Sequence, residues 1–413
     1  MTIQTVAAAA GAVALSSSVR TQYVEDYLEA AMMARIYDQF AAPIGRPMEE
    51  LKRGSSVQVE FLSDMTPGVT AISEVVDITP QALRDAVATL TPTSRAEALQ
   101  TSELLLIQAY TNYGSQMYKA VGKNLMENCE ILARNAATQG SNFRRGGTTG
   151  VSARSSVDAG TSGHRADDIL FSSVAGRLES LKVPGFPGVT SGVSWGALTH
   201  PFVYGDIRQG GNVVSVAQYS RPEIILNSEL GSLGNFRLIV SPWAKVFGTA
   251  GAANTNPVAT TLNTAVNALA TTMNVASAVQ LGSYILGQPL WVLPTVETGN
   301  THQPRAEMVR YAGFTASTIT IVGEGANGGF RFPHSAGDAV RNADSVYTIV
   351  FGGPQSLAKV FATEIGEFGQ IVGPKRDGVV DQFITLGNKW YGGYTILAQN
   401  RILRVEVSTQ AEA

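Results

Sequence analysis

The sequence predicts an α+β protein built from more than one compact unit, and three observations predict it. An apolar stripe at helical spacing runs through a long proline-free stretch, period-two strand patterns stand on both sides of it, and a charge-free run interrupts the second half. At 413 residues the chain has room for two or three units of about 100–200 residues each.

The elements follow in order. The opening MTIQTVAAAAGAVALSSS is apolar from Val6 to Leu15 but has no basic residue ahead of it, so it reads as a flexible or extended arm. Tyr23, Tyr27, Ala30, Ala34 and Tyr37 then recur at helical steps, until Pro43, Gly45 and Pro47 stop the helix. From Gly54 to Leu62 the period becomes two, with Val57, Val59 and Phe61 alternating with Gln58 and Glu60. Thr70 to Ile78 and Leu83 to Leu99 also read as extended, and Pro92 argues against helix there. An ordinary antiparallel meander and a long hairpin reaching out from the body both fit this pattern.

Leu106, Tyr110, Tyr113, Met117, Val121, Leu125, Cys129 and Leu132 form the helical stripe, and no proline occurs between Thr93 and Val183. A helix from Ser102 to Ala136 would be about 50 Å long, with Gly114 a place to kink or split it. Asn142 to Gly163 is rich in Gly, Ser, Thr and Arg and reads as a mobile loop. Its Arg144, Arg145 and Arg154 are placed to touch phosphate, although so short a basic patch is more often solvated.

A mixed α/β region follows, with a helix over Asp167 to Leu181, a strand over Ser194 to Thr199, a short helix over Phe202 to Gln209 and a strand over Phe236 to Val240. Between Lys245 and Glu297 there is no Asp, Glu, Lys or Arg. Strand-like runs come next at Ile285 to Val292, Glu307 to Tyr311, Ser317 to Val322 and Ser345 to Phe351. Residues 249–346 therefore read as a small β-rich domain inserted into a loop of the preceding one. Ser356 to Glu367 looks helical, and Asp381 to Glu406 alternates as paired strands returning to the main body.

Charged residues make up 15% of the chain, against about 25% in an average soluble protein. Such a surface suits burial against neighbours. Net charge is −3, which excludes a strong basic field for nucleic acid. Cys129 is the single cysteine, so neither an intrachain disulfide nor a cysteine-built zinc cluster is available, and it reads as a small apolar packing residue. No apolar run reaches the roughly 18 residues of a membrane span.

Two motifs invite chemistry and fail on context. Gly192-Val193-Ser194-Trp195-Gly196 matches a nucleophile elbow with His200 nearby, but a Pro/Gly loop precedes the serine and extended chain follows it, where the elbow needs a strand and then a helix. Gly323, Gly325 and Gly328 match a dinucleotide fingerprint, yet Phe330-Arg331-Phe332-Pro333 follows in place of a helix, which points to a hairpin turn. His164, His200, His302 and His334 never pair at metal spacing. The expectation is no catalytic, cofactor-binding or metal site, and no enzyme.

The order of elements resembles the Hong-Kong-type coat fold of tailed-phage capsid proteins, and more specifically the N-four-like family of major capsid proteins. The resemblance is carried by YVEDYLEAAMMARIYDQF (Tyr23 to Phe40), GSSVQVEF (Gly54 to Phe61), HPFVYGDIR (His200 to Arg208), ELGSLGNFRLI (Glu229 to Ile239), FGGPQSLA (Phe351 to Ala358) and GNKWYGGYTILAQNRILRVEV (Gly387 to Val407). Separately, LATTMNVASAVQLG, STITIVGEGANGGF and HSAGDAV resemble small β modules of phage structural proteins.

The resemblance implies an N-terminal arm and helix (1–53), an extended loop that overlaps a neighbouring subunit (54–101), and a peripheral domain with a long spine helix (102–164 and 374–413). It also implies an axial domain (165–248 and 347–373) and the β-rich insertion domain (249–346) on the outer surface. The implied function is a major capsid protein that self-assembles, as hexamers and pentamers, into the icosahedral shell around packaged double-stranded DNA. Implied partners are a separate scaffolding protein, a portal, a decoration protein on the insertion domain and DNA without sequence specificity, with no membrane. The implied location is the virion, assembled in the bacterial host cytoplasm. No lysine lies between Lys52 and Lys119, so the extended loop offers none for the lysine–asparagine bonds of some relatives. Another virion or surface-array protein, a tail or adhesin subunit, is the alternative, and a serine hydrolase centred on Ser194 the third reading.

Overall fold

The structure, a computed structural model, describes residues 36–43, 56–62, 82, 85–104, 113–187, 193–210, 213–215, 229–248, 250–251, 259–277, 287, 289–294, 307–315, 317–323, 325, 328–342, 344–361, 369–377 and 382–410. The expected arm and most of the helix ending near Tyr37 lie outside them. Tyr37–Phe40 is a single 3-10 turn.

In chain order the early strands are β1 (Ala41–Pro43), β2 (Val57–Leu62), β3 (Asp85–Leu90), β4 (Thr93–Ser102) and β5 (Phe143–Arg145). Next come β6 (Phe186–Pro187), β7 (Val193–Thr199), β8 (Val214–Ser215), β9 (Glu229–Leu233), β10 (Phe236–Val240) and β11 (Val246–Phe247). Then follow β12 (Ala259–Thr261), β13 (Thr272–Asn274), β14 (Pro289–Leu293), β15 (Glu307–Thr315), β16 (Thr318–Val322) and β17 (Ala339–Arg341). The last are β18 (Val346–Gly352), β19 (Leu357–Phe361), β20 (Gln370–Asp377), β21 (Phe383–Ile396) and β22 (Ile402–Val407). The helices are α1 (Tyr113–Thr138), α2 (Asp168–Ser180) and α3 (Pro201–Gln209).

Two compact units result, one of residues 1–35, 41–129 and 357–398, the other of 36–40, 130–356 and 399–413. The spine of the first is β21, whose 14 residues pair with β4, β20 and β19 in a five-stranded sheet that β1 completes. β4 lies within the excursion expected over 54–101, yet it pairs along β21 from Thr93↔Gly392 to Ser102↔Phe383. Among the described residues of that excursion, β2 and β3 form a separate two-stranded ribbon. Leu357–Phe361 corrects the helix expected from Ser356, while 362–367 lie outside the described residues. It is a strand between β1 and β21, with Leu357 and Ala358 buried. So short an apolar run fits either period, and its two neighbours in the sheet decide.

The helical stripe is borne out from Tyr113 on; Glu103 and Leu104 are also helical, and residues 105–112, with Leu106 and Tyr110 of the expected stripe, lie outside the described residues. α1 has 26 residues and is about 39 Å long; of the start expected for it, only Ser102 belongs to the strand β4. Met117, Val121, Leu125 and Cys129 are buried. From Met126 to Arg134 the burial extends around the helix, taking in Glu127, Asn128, Glu130 and Arg134.

In the second unit the order β5-β22-β18-β7-β10-β9-β8, with β11 on β18 and β6 on β7, gives a nine-stranded sheet. Its strands are near-continuous apolar runs, and β18 (VYTIVFG) is buried at every position. α2 buries Leu170, Phe171, Val174 and Leu178 in the same core, and α3 buries Val203 and Ile207. Phe171, Phe236 and Phe351 meet edge to face at 5.0–5.5 Å. Asp167 caps α2 by accepting from the Leu170 amide at 2.8 Å. Gly196 in β7 has no room for a side chain, because a Cβ there would lie 2.3 Å from the Phe40 ring. The strands expected to pair within Asp381 to Glu406 belong to different sheets, β21 to the five-stranded and β22 to the nine-stranded one.

The chain leaves the nine-stranded sheet after β11 and re-enters at β18, and these two strands pair (Val246↔Tyr347). Between them lies a six-stranded sheet, β12-β17-β14-β15-β16-β13. It has its own core, which includes Leu262, Met273, Leu290, Val309, Ile319, Phe330 and Val340.

Candidate functional site

Neither chemical motif forms a site. Ser194 lies inside β7 and is 5% exposed. Its hydroxyl accepts from Arg237 Nε at 3.0 Å and reaches the Phe186 carbonyl at 3.5 Å. The strand runs on past it to Thr199 where an elbow needs a helix to begin, so the serine is a buried hydrogen-bonding residue of the sheet. His200 caps α3, with Nδ1 accepting from the Phe202 amide at 3.3 Å. Burial pushes its pKa down to about 4. The Gly323–Gly328 stretch closes a turn, with the Gly323 amide bonded to the Gly328 carbonyl and the Gly325 amide to that of Gly329. Phe330 then enters the core of the six-stranded sheet. Among the described residues no group of His, Cys, Asp and Glu is arranged to hold a metal ion, and no helix is long and apolar enough to cross a membrane.

The arginine-rich stretch is a correction to the expected mobile loop. β5 pairs in parallel with β22. Arg145 and Arg154 then reach back to Glu406, at 3.1 Å and 2.6 Å, and Arg404 stands 3.1 Å from the same carboxylate. The Glu406 side chain is fully buried. Burial works to raise its pKa, but hydrogen bonds and charge from Arg154, with Arg404 and Arg145, outweigh that and hold it below the usual carboxylate range. Arg144 bonds Ser173 and the Gly147 carbonyl. These cations hold the loop to the sheet. A second buried carboxylate, Glu130 on α1, accepts from the amides of Ile36 and Tyr37 at 3.0–3.1 Å. It fixes the entry of the 3-10 turn. Sequence reading missed both, because the partners lie 252–261 and 93–94 positions away.

Among the described residues the β2–β3 ribbon is the two-stranded sheet, so each of its strands is an edge strand. Its six pairs run from Val57↔Leu90 to Leu62↔Asp85, and among the described residues neither strand pairs with any third strand. Leu90 at its base is buried. Val87 farther along is 48% exposed, with Gln58 and Thr89 also exposed. A lone two-stranded ribbon is marginal in water, and its outward amides and carbonyls are a template for another chain.

With this geometry in place, comparison with known proteins is informative at the level of backbone. No family model and no curated protein matches the chain. Among solved structures it is similar to the capsid of Ralstonia phage GP4, with a TM-score of 0.54 and 8% identity over 86% of this chain and 84% of that one. Weaker likenesses include the capsid of the cyanophage P-SCSP1u (TM-score 0.46, 11% identity, 90% and 88% covered) and a virus-like particle from Pyrococcus furiosus (0.42, 8%, 94% and 99%). The chain has the fold of tailed-phage capsid proteins, the Hong-Kong-type coat fold. Its β-rich make-up, with long strands and three described α-helices, is the form that fold takes here.

Proposed function

We propose that this chain is the major capsid protein of a tailed phage, with a structural and non-catalytic role, which self-assembles into an icosahedral shell around packaged double-stranded DNA. The observation that carries the reading is the β2–β3 ribbon, a self-paired pair of strands on a chain that has a capsid fold over most of its length. In this reading the ribbon is the extended loop and lies on adjacent subunits. The five-stranded sheet is the core of the peripheral domain, the nine-stranded sheet that of the axial domain, and the six-stranded sheet an insertion on the outer surface. The N-four-like relationship, hexamers and pentamers, a separate scaffolding protein, a portal and a decoration protein on the insertion complete the proposal.

The physics is repetition. Each interface need only be modest, because every subunit has several neighbours and closure of the shell multiplies small free energies. A surface with 15% charged residues lowers the desolvation cost of those contacts. Because the stretch from Lys52 to Lys119 contains no intervening lysine, the extended loop needs no covalent bond in this account. Negative-stain microscopy of the purified full chain tests it. Closed shells or six-membered rings are expected; tubes or fibres point to a tail or adhesin subunit, and an inert monomer at high concentration overturns both.

A further inference from the structure

The six-stranded sheet is rooted on the nine-stranded one where three stretches of chain meet. Gly251 follows the outgoing strand β11, Asp344 precedes the returning strand β18, and Val157 to Thr161 belongs to the loop after β5. The Gly251 amide donates to the Asp344 carbonyl at 2.8 Å. A Cβ on Gly251 would lie 2.7 Å from the Val157 carbonyl oxygen and 2.8 Å from that of Asp344, so the three backbones touch. On the side of Trp243 and Trp291, a cleft of about 350 Å³ separates the six-stranded sheet from the body. A change at the root has that space to move the sheet into.

Two carboxyl groups fasten the root. Asp344 is 8% exposed, and its Oδ2 accepts from the Ala159 amide at 2.9 Å. Its side chain is also hydrogen-bonded to that of Asp158. Asp158 already accepts at both oxygens, Oδ1 from the Gly160 amide at 2.8 Å and Oδ2 from the Thr161 hydroxyl at 2.9 Å. Ionised carboxylates only accept, so the bond between the two acids exists only with a proton between them. The Gly160 and Thr161 donors hold the Asp158 pKa below the usual carboxylate range. Burial, with the Asp158 charge behind it, pushes that of Asp344 up against the opposing Ala159 amide. The shared proton therefore resides on Asp344.

The charged groups on the neighbouring stretches are turned elsewhere or act on Asp158. Arg165 donates to the Ala159 carbonyl at 2.7 Å, Arg145 and Arg154 engage Glu406 of β22, and Arg341 of β17 is exposed. His164, whose Nδ1 accepts from the Asp158 amide at 3.0 Å, favours the charged form of Asp158.

We propose that Asp158 and Asp344 form a proton-dependent latch at the root of the six-stranded sheet. One shared proton closes it; losing that proton sets two negative charges side by side and loosens the three stretches. The closed latch binds the proton more tightly than the open one, so closure is favoured in acid and weakens as pH rises through the raised Asp344 value. All the groups lie in one chain, so the latch stands or falls apart from shell formation.

Hydrogen exchange of the Ala159 and Gly251 amides, followed by NMR in the full unassembled chain and divided by the intrinsic rate, tests it between about pH 4 and 8. Protection of both amides should fall by about tenfold as pH rises, while that of the β18 amides stays constant. Asp344→Asn accepts from Ala159 and donates to Asp158 at any pH, so it should keep the acid-level protection throughout. Asp158→Asn, whose amide can donate to Asp344, should remove the pH dependence by a second route. Protection independent of pH in the parent, or a parent-like pH dependence retained by either folded variant, would overturn the latch.

Discussion

The nine-stranded sheet and the β2–β3 ribbon draw on similar residues, valine, phenylalanine and leucine in alternating or continuous runs, yet they satisfy them differently. In the sheet, β18 is flanked by β22 and β7 and buried along its whole length. In the ribbon each strand has one partner among the described residues, and Val87 stands 48% exposed. The first region pairs its central strands on both sides within the chain. The second is complete as a ladder of six pairs and incomplete as a packed structure. The difference teaches that strand-forming sequence alone does not say where its hydrogen bonds and apolar surface end up; the number of neighbours does.

Breaking the self-sufficient region should be costly. Phe236 is 1% exposed and touches Phe171, Phe351 and Trp195. Phe236→Ala should destabilise the unassembled chain by about 3–5 kcal/mol, read as a lowered denaturant midpoint. A loss below about 1 kcal/mol would mean that the aromatic cluster is not what holds the sheet.

Glu406→Gln leaves Arg145, Arg154 and Arg404 without their shared anion and should cost about 3 kcal/mol. Because the Glu406 pKa is depressed in the fold, the unfolded chain binds its proton first as acid is added. The stability this carboxylate contributes is therefore present above its unfolded value and is lost as pH falls through the folded one. Acid melting curves should be less steep in the Glu406→Gln variant.

His200 acts at milder pH. Its pKa of about 4 lies below the ordinary 6.5, so between those values the unfolded chain is protonated and the native one is not. Stability should be full above pH 6.5 and fall by about 3 kcal/mol toward pH 4. His200→Asn should flatten that slope in melting experiments between pH 4 and 7.

The smallest expected effect on the chain itself comes from the ribbon. Val87→Asp should change unfolding by no more than about 0.5 kcal/mol, yet, on the proposed reading in which the exposed valine faces a neighbouring subunit, sharply reduce the yield of shells. Equal shell yields for variant and parent would remove the contrast between the two regions.

Much of this architecture is legible in residues. The alternation of Val57, Val59 and Phe61, the stripe from Met117 to Cys129, the helix opened by Asp167 and the strand at Phe236 to Val240 are local signals, and local signals survive. The charge-free run from Lys245 also marks a real change of architecture, at the exit to the six-stranded sheet. What stays hidden is long-range. Nothing near Ser356 tells the strand β19 from a helix turn, because β1 and β21 impose the period from afar. Arg145 and Arg154 look like solvated charge until Glu406 is seen beneath them. The cleft at Trp243 and Trp291 is assembled from seven separate stretches and has no motif. The two apparent motifs, around Ser194 and Gly325, are accidents of composition in a strand and a turn.

Hydrogen exchange on β2 (57–62) and β3 (85–90), compared between unassembled chain and purified particles, is the most direct probe. If neighbouring copies complete the ribbon, its outward amides should slow by about tenfold or more on assembly while β18 stays unchanged. Identical exchange of both strands in the two states would show that no adjacent subunit covers them, and the capsid reading would lose its structural basis.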